Sequence, residues 1–326
     1  MSVSVCIPTY NQAAFIAKSV LSAFQQTCKP NEIIVSDDCS TDNTLEVLEP
    51  LLKEIPQLKI LKQASNLGIS GNTNASLKNA TSEFIVRLDS DDLLLPDYIE
   101  TLKKLLQKYP NAGYAHSAVK EIDSKGNFKR SRVLARKSEF IEAEESLEMA
   151  VKGYRVAANI LMFRKEALEE VGFITTKINF AEDYFLSTSM AAAGFGNVYS
   201  HKTLCCYRVW NDTGKVRQRR KLDEINGLIY VVNEGIAPAF KNKGWNLNLV
   251  NKMRVSKAIE HVNCLGWKVY SEEEKKELKE QIFKLSNNRK VKIYAWIYTH
   301  HFGFVPDIYH NLIFKTKSVV KKVLFK

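Results

Sequence analysis

Over its first 110 residues the chain alternates between short apolar segments and longer segments with helical spacing. Each apolar segment has the length and composition of a buried strand, and apolar residues recur every third or fourth position in the segment that follows it. The last helical segment begins at a proline and ends at another, as a bounded helix does. This alternation predicts an α/β fold with a mostly parallel sheet flanked by helices. The strand segments are SVSVCIP, EIIVSDD, LKILKQ and EFIVRLD.

The pattern changes further along the chain. The middle region holds less regular strand-like segments, and from about Arg217 the apolar spacing is helical. A chain of 326 residues is long enough for one large domain or two. We therefore predict a boundary near residue 215, with an α/β domain at 1–215 and a helical, basic region at 216–326.

The net charge of +11 and the pI near 9.2 call for an anionic partner. From Arg289 to Lys326 the chain has eight Lys or Arg and one acid, Asp307, interleaved with aromatic residues. Such a segment can lie in the headgroup region of an anionic membrane, or it can be a packed helical cap with a solvated basic face. No DNA- or RNA-binding motif is visible, so we expect no nucleic acid partner.

Several features bear on where the protein resides. No run of about 18 apolar residues is present, which predicts no membrane-spanning helix. The N-terminal sequence lacks the basic and apolar regions of a secretory signal. The six cysteines form no CxxC pair, which is typical of reduced thiols in the cytosol. We expect a cytoplasmic protein that is peripheral at the inner face of the membrane.

Polar residues follow each of the four predicted strands, at the edge where open α/β sheets bind ligands. The most crowded group is Asp89, Asp91 and Asp92, which follows the fourth strand. Carboxylates one residue apart can converge on Mg²⁺ or Mn²⁺, which prefer oxygen ligands and keep waters and substrate phosphates as well. The alternative is an acidic turn that leads into a helix N-terminus. The sequence around the cluster leaves both interpretations open.

The chain has no P-loop and no G-x-G-x-x-G motif, so any bound nucleotide is held in another way. Tyr10 and the pair Asp37 and Asp38 offer a stacking ring and carboxylate acceptors for a base, although Tyr10 also fits a half-buried loop aromatic. Glu182 and Asp183 precede a predicted helix, where they favour the helix dipole or supply a general base.

Five motifs occur in order, and together they resemble the family 2 glycosyltransferases of bacterial surface-polysaccharide synthesis. The resemblance covers roughly residues 1–210 and implies the Rossmann-like GT-A fold, with the helical C-terminal region outside it. It also implies an inverting, metal-dependent transfer of a hexose or N-acetylhexosamine from a UDP-sugar to a hydroxyl of a lipid-linked saccharide acceptor. The motifs are IPTYNQAAFIAKSVLSAFQQT, EIIVSDDCSTDNT, NLGISGNTNASLKNA, FIVRLDSDD and AEDYFL.

The resemblance also implies roles for single residues. Asp183, with Glu182 beside it, matches the general base that deprotonates the acceptor hydroxyl. Asp91 matches the main ligand of Mn²⁺ or Mg²⁺, with Asp89 and Asp92 as further candidates. The nucleotide-binding positions are Pro8, Thr9 and Tyr10 for uracil and ribose, Asp38 for the base, Asp89 for the ribose, and Gly68 and Asn72 near the diphosphate or sugar.

Two points depart from the family pattern, and one alternative function stays open. The basic residues often found near the acceptor side have no clear match, and Arg208, within CYRVW, is the best candidate for a diphosphate contact. Cys39 stands where glycine is frequent, which affects the turn after Asp38 but removes no ligand. The alternative is a catalytically silent nucleotide-sugar-binding or scaffold protein at the membrane face, against which the presence of Asp183 speaks.

Overall fold

The computed structural model describes residues 1–136, 138–153, 156–210 and 218–300. Most of the basic, aromatic tail, from residue 301 onwards, lies outside the described residues. The predicted membrane-contacting tail lies within the described residues over 289–300 and outside them from 301 onwards.

The first part of the chain folds as the alternation predicts. Four strands, β1 to β4, alternate with helices, with the short strand β5 (Leu93–Leu94) between β4 and α4, and they pair in parallel in the order β3-β2-β1-β4. The strands are β1 Val3–Thr9, β2 Glu32–Asp37, β3 Leu58–Lys62 and β4 Phe84–Arg87, and the helices are α1 Ile16–Phe24, α2 Thr44–Glu54, α3 Gly68–Lys78 and α4 Tyr98–Lys108.

The middle region adds strands on the other side of β4. The order continues as β4-β9-β6-β10-β5, and β9 is antiparallel to both of its neighbours. Since β6 is parallel to β10, both run in the same direction as β1 to β4. The carboxyl ends of β1, β2, β4 and β10 therefore lie at one edge of the sheet. The added strands are β5 Leu93–Leu94, β6 Ala112–Ile122, β7 Phe128–Arg132, β8 Phe140–Ile141, β9 Leu161–Arg164 and β10 Gly196–Arg208.

Helices make up the rest of the described chain. Three of them, α5 Ala143–Ala150, α6 Lys165–Glu170 and α7 Glu182–Ala192, connect the later strands. The C-terminal region is helical, as predicted, over residues 218–300. Its helices are α8 Lys221–Tyr230, α9 Ala237–Asn242, α10 Asn248–His261, α11 Glu272–Leu285 and α12 Arg289–Thr299, with a π-helical segment at Val231–Ile236 and a 3₁₀ segment at Val262–Gly266.

The central strands are buried on both faces, which explains their continuous apolar sequence. In β1, Val3, Val5 and Ile7 contribute to the core on one face of the sheet, and Cys6 packs with Ile34 on the other. Each fully buried aliphatic side chain stabilises the fold by about 1.5–3 kcal/mol relative to the exposed side chain. The layer order of the fold follows from this two-sided burial, because helices must cover both faces.

The C-terminal helices pack on the α/β part through α7. One hydrophobic cluster joins Tyr184 of α7 and Leu147 of α5 to Leu228 of α8 and Val231 of the π-helical segment. Residues from both sides of position 215 therefore share a core, and the predicted domain boundary there stays a prediction. Within the described ranges, no helix is both long enough and apolar enough to span a bilayer.

Gly227 marks the closest approach between α8 and the segment that precedes α7. A β-carbon at Gly227 would lie 2.1 Å from the backbone oxygen of Phe180, which is a severe overlap. Only glycine allows the two backbones to approach this closely. The C-terminal region thus supports the loop from which Glu182 and Asp183 emerge.

Candidate active site

A cleft of about 470 Å³ opens at the edge formed by the carboxyl ends of the parallel strands. Seven of the eight predicted nucleotide-binding residues line it, and the eighth, Arg208, does not belong to the lining within the described part of the chain. The cleft also contains side chains to which we assigned no role from sequence. The predicted lining residues are Pro8, Thr9, Tyr10, Asp38, Gly68, Asn72 and Asp89, and the others include Gln12, Ile69, Thr73 and Arg87.

Asp38 holds the start of α3 against the end of β2. Its Oδ1 accepts a hydrogen bond from the backbone N–H of Leu67 at 2.7 Å, and its Oδ2 accepts one from Gly68 at 3.0 Å. Gly68 has a φ of +72°, which favours glycine at this position. Each carboxylate oxygen has a second lone pair for another donor. The predicted bond from a base to Asp38 is compatible with this arrangement and stays a prediction.

Asn72 closes the bottom of the cleft. Its side-chain nitrogen donates to the backbone oxygens of Thr9 at 3.2 Å and Ser36 at 2.9 Å, and its Oδ1 accepts from the Ser36 hydroxyl at 2.6 Å. These bonds join α3 to the ends of β1 and β2. The side chain is 3 % exposed, so its contribution to the cleft is mainly one of shape. Its predicted contact with the diphosphate or sugar is untested.

Thr9 and Tyr10 line the cleft at the end of β1, but they differ in exposure. Tyr10 is 47 % exposed, which is compatible both with a surface on which a base can stack and with a half-buried loop aromatic. The hydroxyl of Thr9 is buried and has no hydrogen-bond partner among the described residues. A buried polar group of this kind is costly unless a ligand or water satisfies it.

Cys39 adopts the backbone conformation that its position in the turn demands. Its φ is +63°, in the left-handed region where a side chain costs about 1–2 kcal/mol relative to glycine. Its thiol donates to the backbone oxygen of Gln63 at 3.2 Å, which offsets part of that cost. In the same turn, Asp37 accepts from the backbone N–H of Ser40 at 3.2 Å. The turn after Asp38 is therefore preserved without glycine.

The three clustered aspartates have different surroundings. Asp92 is 1 % exposed; its Oδ1 accepts the backbone N–H of Arg208 at 2.6 Å, and its Oδ2 is buried without a partner among the described residues. Burial, together with the charges of Asp89 and Asp91, raises the pKa of Asp92 well above its usual range. Burial also raises the pKa of Asp91, and the neighbouring charge of Asp89 adds to this effect.

The acidic cluster can supply only part of a cation's coordination shell. The described residues contain no group of three or more His, Cys, Asp or Glu side chains placed to hold a metal ion. Asp89 and Asp91 offer carboxylate oxygens, which are the donors that Mg²⁺ and Mn²⁺ prefer. Mg²⁺ is commonly held by one or two carboxylates with substrate phosphates and water. The donor set therefore fits a cation that binds together with a diphosphate.

Arg87 joins the acidic cluster to the predicted general base. Its side chain is 4 % exposed; its Nη1 donates to Asp183 Oδ1 at 2.5 Å, and its Nε donates to Asp89 Oδ1 at 3.2 Å. No role was predicted for Arg87 from the sequence. The available signal was a charged residue at the end of a strand, FIVR, whose other residues are apolar.

Asp183 lies in the first turn of α7, directly after Ala181 and Glu182. Ala181 has a φ of +65°, a left-handed conformation that turns the chain into the helix. Burial raises the pKa of Asp183 to about 6, although the positive charge of Arg87 acts in the opposite direction and the charges of Glu182 and Asp89 add to the rise. A carboxylate with such a pKa is ionised at neutral pH and is basic enough to take a proton.

Arg208 holds the acidic cluster in place from β10. Its Nε donates to the backbone oxygen of Asp91 at 2.8 Å, and its Nη1 donates to the backbone oxygen of Asp123 at 2.7 Å. Its guanidinium carbon lies 4.6 Å from the centre of the Phe15 ring. These contacts tie the acidic cluster to the β6–β7 turn. The predicted contact of Arg208 with a diphosphate is untested.

The sequence profile described as "Glycosyl transferase family 2" matches residues 4–172, which is just over half of the chain. The chain belongs to this family. The match contains β1 to β4, the cleft residues and the acidic cluster, and it ends before Asp183.

Curated relatives resemble this family 2 chain over part of their own length. The hyaluronan synthase of Pasteurella multocida is 29% identical over 236 residues, which is 72% of this chain and 23% of the relative. The GalNAc(5)-diNAcBac-PP-undecaprenol beta-1,3-glucosyltransferase of Campylobacter jejuni is 35% identical over 182 residues, 52% of this chain and 54% of the relative. The chain thus matches about a quarter to a half of the length of these relatives.

Solved structures share the fold. Residues 1-349 of S. aureus TarS in complex with UDP align with a TM-score of 0.59 and 19% identity, over 95% of this chain and 92% of that one. The mannosyltransferase PcManGT from Pyrobaculum calidifontis, in complex with GDP-Man and Mn2+, aligns with a TM-score of 0.57 and 19% identity. The alignment covers 92% of this chain and 85% of that one. The GT-A fold expected from the sequence is confirmed.

Proposed function

We propose that this chain is an inverting glycosyltransferase that moves a sugar from a UDP-sugar to a hydroxyl of a saccharide acceptor in cell-surface polysaccharide synthesis. One arrangement carries the proposal. A single cleft joins a base-stacking ring at Tyr10 to Asp89, and Arg87 connects Asp89 to the buried base Asp183. The names of relatives that synthesise hyaluronan and glucosylate a diphosphate-linked glycan agree with it.

The nucleotide occupies the cleft in this proposal. The base stacks on Tyr10 and bonds to Asp38, while the ribose approaches Asp89. The hydroxyl of Thr9 is buried without a hydrogen-bond partner among the described residues, and in this proposal it forms a hydrogen bond with the bound nucleotide. A UDP-sugar is favoured because TarS has been solved with UDP and with UDP-GlcNAc, while the GDP-Man complex of PcManGT makes GDP-sugars the main competitor.

The chemical step is one direct displacement. Asp183 takes the proton of the acceptor hydroxyl while that oxygen attacks the anomeric carbon, and the bond to the nucleoside diphosphate breaks on the opposite side. The anomeric centre is inverted, because no second carboxylate forms a covalent intermediate. Arg87 keeps Asp183 ionised, since its positive charge lowers the pKa that burial raises.

A divalent cation, Mn²⁺ or Mg²⁺, would be held by Asp91 with Asp89, and Asp92 is the third candidate ligand. Bound there, it would neutralise charge on the leaving diphosphate as a Lewis acid. Asp92 already gives one oxygen to the Arg208 backbone, so its proposed role is the weakest of the three.

We propose a lipid-linked acceptor, met at the inner membrane face. The printed name of the Campylobacter jejuni relative contains a PP-undecaprenol acceptor. In this chain, Ile293 and Trp296 of α12 are 49 % and 54 % exposed, and they share that helix with Arg289, Lys290 and Lys292. Exposed apolar side chains next to basic ones suit the headgroup region of an anionic membrane.

The test is a screen of sugar nucleotides followed by variants. UDP-, GDP- and dTDP-sugars are titrated by calorimetry with Mn²⁺ and with EDTA, and hydrolysis or transfer is then measured with the sugar nucleotide that binds. We expect UDP-sugars to bind and Asp91→Ala and Asp183→Ala to abolish turnover. Full turnover in both variants would show that the assigned roles are wrong.

The silent-scaffold alternative makes a different prediction from the same measurements. It expects tight UDP binding in the cleft without hydrolysis and without transfer to any lipid-linked saccharide. The buried, charge-paired Asp183 favours the enzyme, because a scaffold has no need of a carboxylate whose ionisation burial opposes.

A further inference from the structure

Trp210 contacts the candidate metal ligand Asp91 directly. Its indole Nε1 donates to Asp91 Oδ2 at 2.8 Å, two residues after the end of β10. No side chain in the described ranges donates to the other carboxylate oxygen, Oδ1. The indole therefore fixes one oxygen of Asp91 and leaves the second for a ligand.

The Trp210 ring is itself held in place. It meets the Phe15 ring edge-on, with 5.3 Å between the ring centres and planes at 90°. The Phe15 ring also contacts the Arg208 guanidinium, which donates from Nε to the backbone oxygen of Asp91. Arg208 thus binds the backbone oxygen of Asp91, and Trp210 binds its carboxylate. Both side chains pack against Phe15.

We infer that Trp210 is a positioning residue that orients the Asp91 carboxylate for a divalent cation bound with the nucleoside diphosphate. The inference rests on the metal-dependent function proposed above and adds a residue to it. A neutral N–H donor stabilises the negative charge of Asp91 beside Asp89 without competing for the cation as a positive side chain would. Partners that orient a ligand in this way typically contribute 10–100-fold to metal affinity.

Half of the Trp210 ring is exposed, so a packing role has to be separated from the role of the N–H group. Trp210→Phe keeps an aromatic ring next to Phe15 and removes the N–H donor, together with part of the ring surface. Trp296→Phe is the matched control, because Trp296 is also about half exposed but stacks on His300 in the C-terminal region.

The decisive measurement is the Kd for Mn²⁺ at saturating UDP, with the concentration of free Mn²⁺ measured by electron paramagnetic resonance. We expect Trp210→Phe to weaken Mn²⁺ binding by about tenfold. Trp296→Phe should leave the Kd unchanged, and UDP affinity without metal should be the same in all three proteins. An unchanged Kd in Trp210→Phe would overturn the inference.

The wild-type chain provides a second readout that needs no variant. With 5-fluorotryptophan at its four tryptophan positions, Mn²⁺ and UDP should broaden one fluorine resonance selectively. Equal sharpness of all resonances in the Mn²⁺-loaded protein would contradict the inference. If the wild type binds UDP but takes up no Mn²⁺, the metal dependence of the proposed function fails as well, whereas metal uptake with no effect of Trp210 overturns this inference alone.

Discussion

Arg87 bridges two acids that are 94 positions apart in sequence: its Nη1 lies 2.5 Å from Asp183 Oδ1, and its Nε lies 3.2 Å from Asp89 Oδ1. The guanidinium is almost completely buried, so its charge is little screened by solvent. Through this side chain, the end of β4 and the start of α7 become one electrostatic unit. Asp89, which lines the cleft, and Asp183, the proposed base, are therefore coupled.

The pH dependence of activity should report the ionisation of Asp183. Since the base must be unprotonated and its pKa is about 6, kcat/KM should be constant above that pH and fall tenfold per pH unit below it. Asp183→Asn should lower kcat by about 10²–10⁴-fold, the usual contribution of a general base, while UDP affinity stays the same. A flat profile from pH 5 to 8 would contradict the assignment.

Replacing Arg87 should move the acid limb of the kcat/KM profile, which is the part that falls with decreasing pH. Arg87→Met removes the charge that lowers the pKa of Asp183, so the limb of the kcat/KM profile should shift to higher pH. Arg87→Lys keeps a positive charge and should stay closer to the wild type. The uncompensated buried carboxylate should also reduce the free energy of unfolding of Arg87→Met by about 3–5 kcal/mol. A limb that does not move would mean that Arg87 has a purely structural role.

Glu32, which lies outside the cleft lining, should contribute to the pH dependence of the free energy of unfolding in acid. Burial opposes its ionisation, but hydrogen bonds from Lys59, Ser4 and Thr81 lower its pKa to about 2. Since the folded pKa lies below the unfolded value, its stabilising contribution is present above about pH 4.3 and is lost as the pH falls towards 2.

Glu32→Gln should therefore lower the free energy of unfolding at pH 7 by about 1–3 kcal/mol and flatten its pH dependence between those values. Denaturant unfolding at pH 7, 4 and 3 measures this. The exposed pair Glu100 and Lys104 provides the control, because Glu100→Gln should leave the unfolding midpoint unchanged. Equal acid sensitivity of both variants would argue against the bonding of Glu32.

Gly227→Ala should disturb the loop before Asp183. The added methyl would lie 2.1 Å from the Phe180 backbone oxygen, so α8 or the loop must shift, at a cost of about 1–3 kcal/mol in unfolding free energy. Gly235→Ala is the matched control, since its methyl would meet the Phe185 ring at an acceptable 3.4 Å. We expect only Gly227→Ala to lower both the melting temperature and kcat, and the same kcat in both variants would show that the contact does not support the site.

The sequence predicted most of what depends on local pattern. The strands and helices of the first 110 residues follow from apolar spacing, and parallel pairing brings their polar ends to one edge by topology. The same topology places Tyr10, Asp38 and Asn72 along one cleft, and their predicted roles in nucleotide binding stay predictions. The antiparallel insertion of β9 was not predicted, because strand order depends on contacts between segments far apart in sequence.

Long-range side-chain contacts explain what was missed in the site. Arg87 and Trp210 matter because of Asp183 and Asp91, and neither pair is adjacent in sequence. Asp89, Asp91 and Asp92 cannot be told apart by residue type in the sequence, but their burial and hydrogen-bond partners differ in the structure. Such differences arise only when β4, β10 and α7 come together.

The cluster shared by α5, α7, α8 and the π-helical segment also limits how this chain can be recombined with its relatives. A hybrid joined near residue 215 would combine the α7 of one parent with the covering helices of another, so the residues replacing Leu228 and Val231 would have to fill the same volume against Tyr184. Exchange of the C-terminal region for that of another enzyme therefore requires α7 to move with it. Because α7 carries Asp183, the proposed base would have to be exchanged together with the helices that cover it.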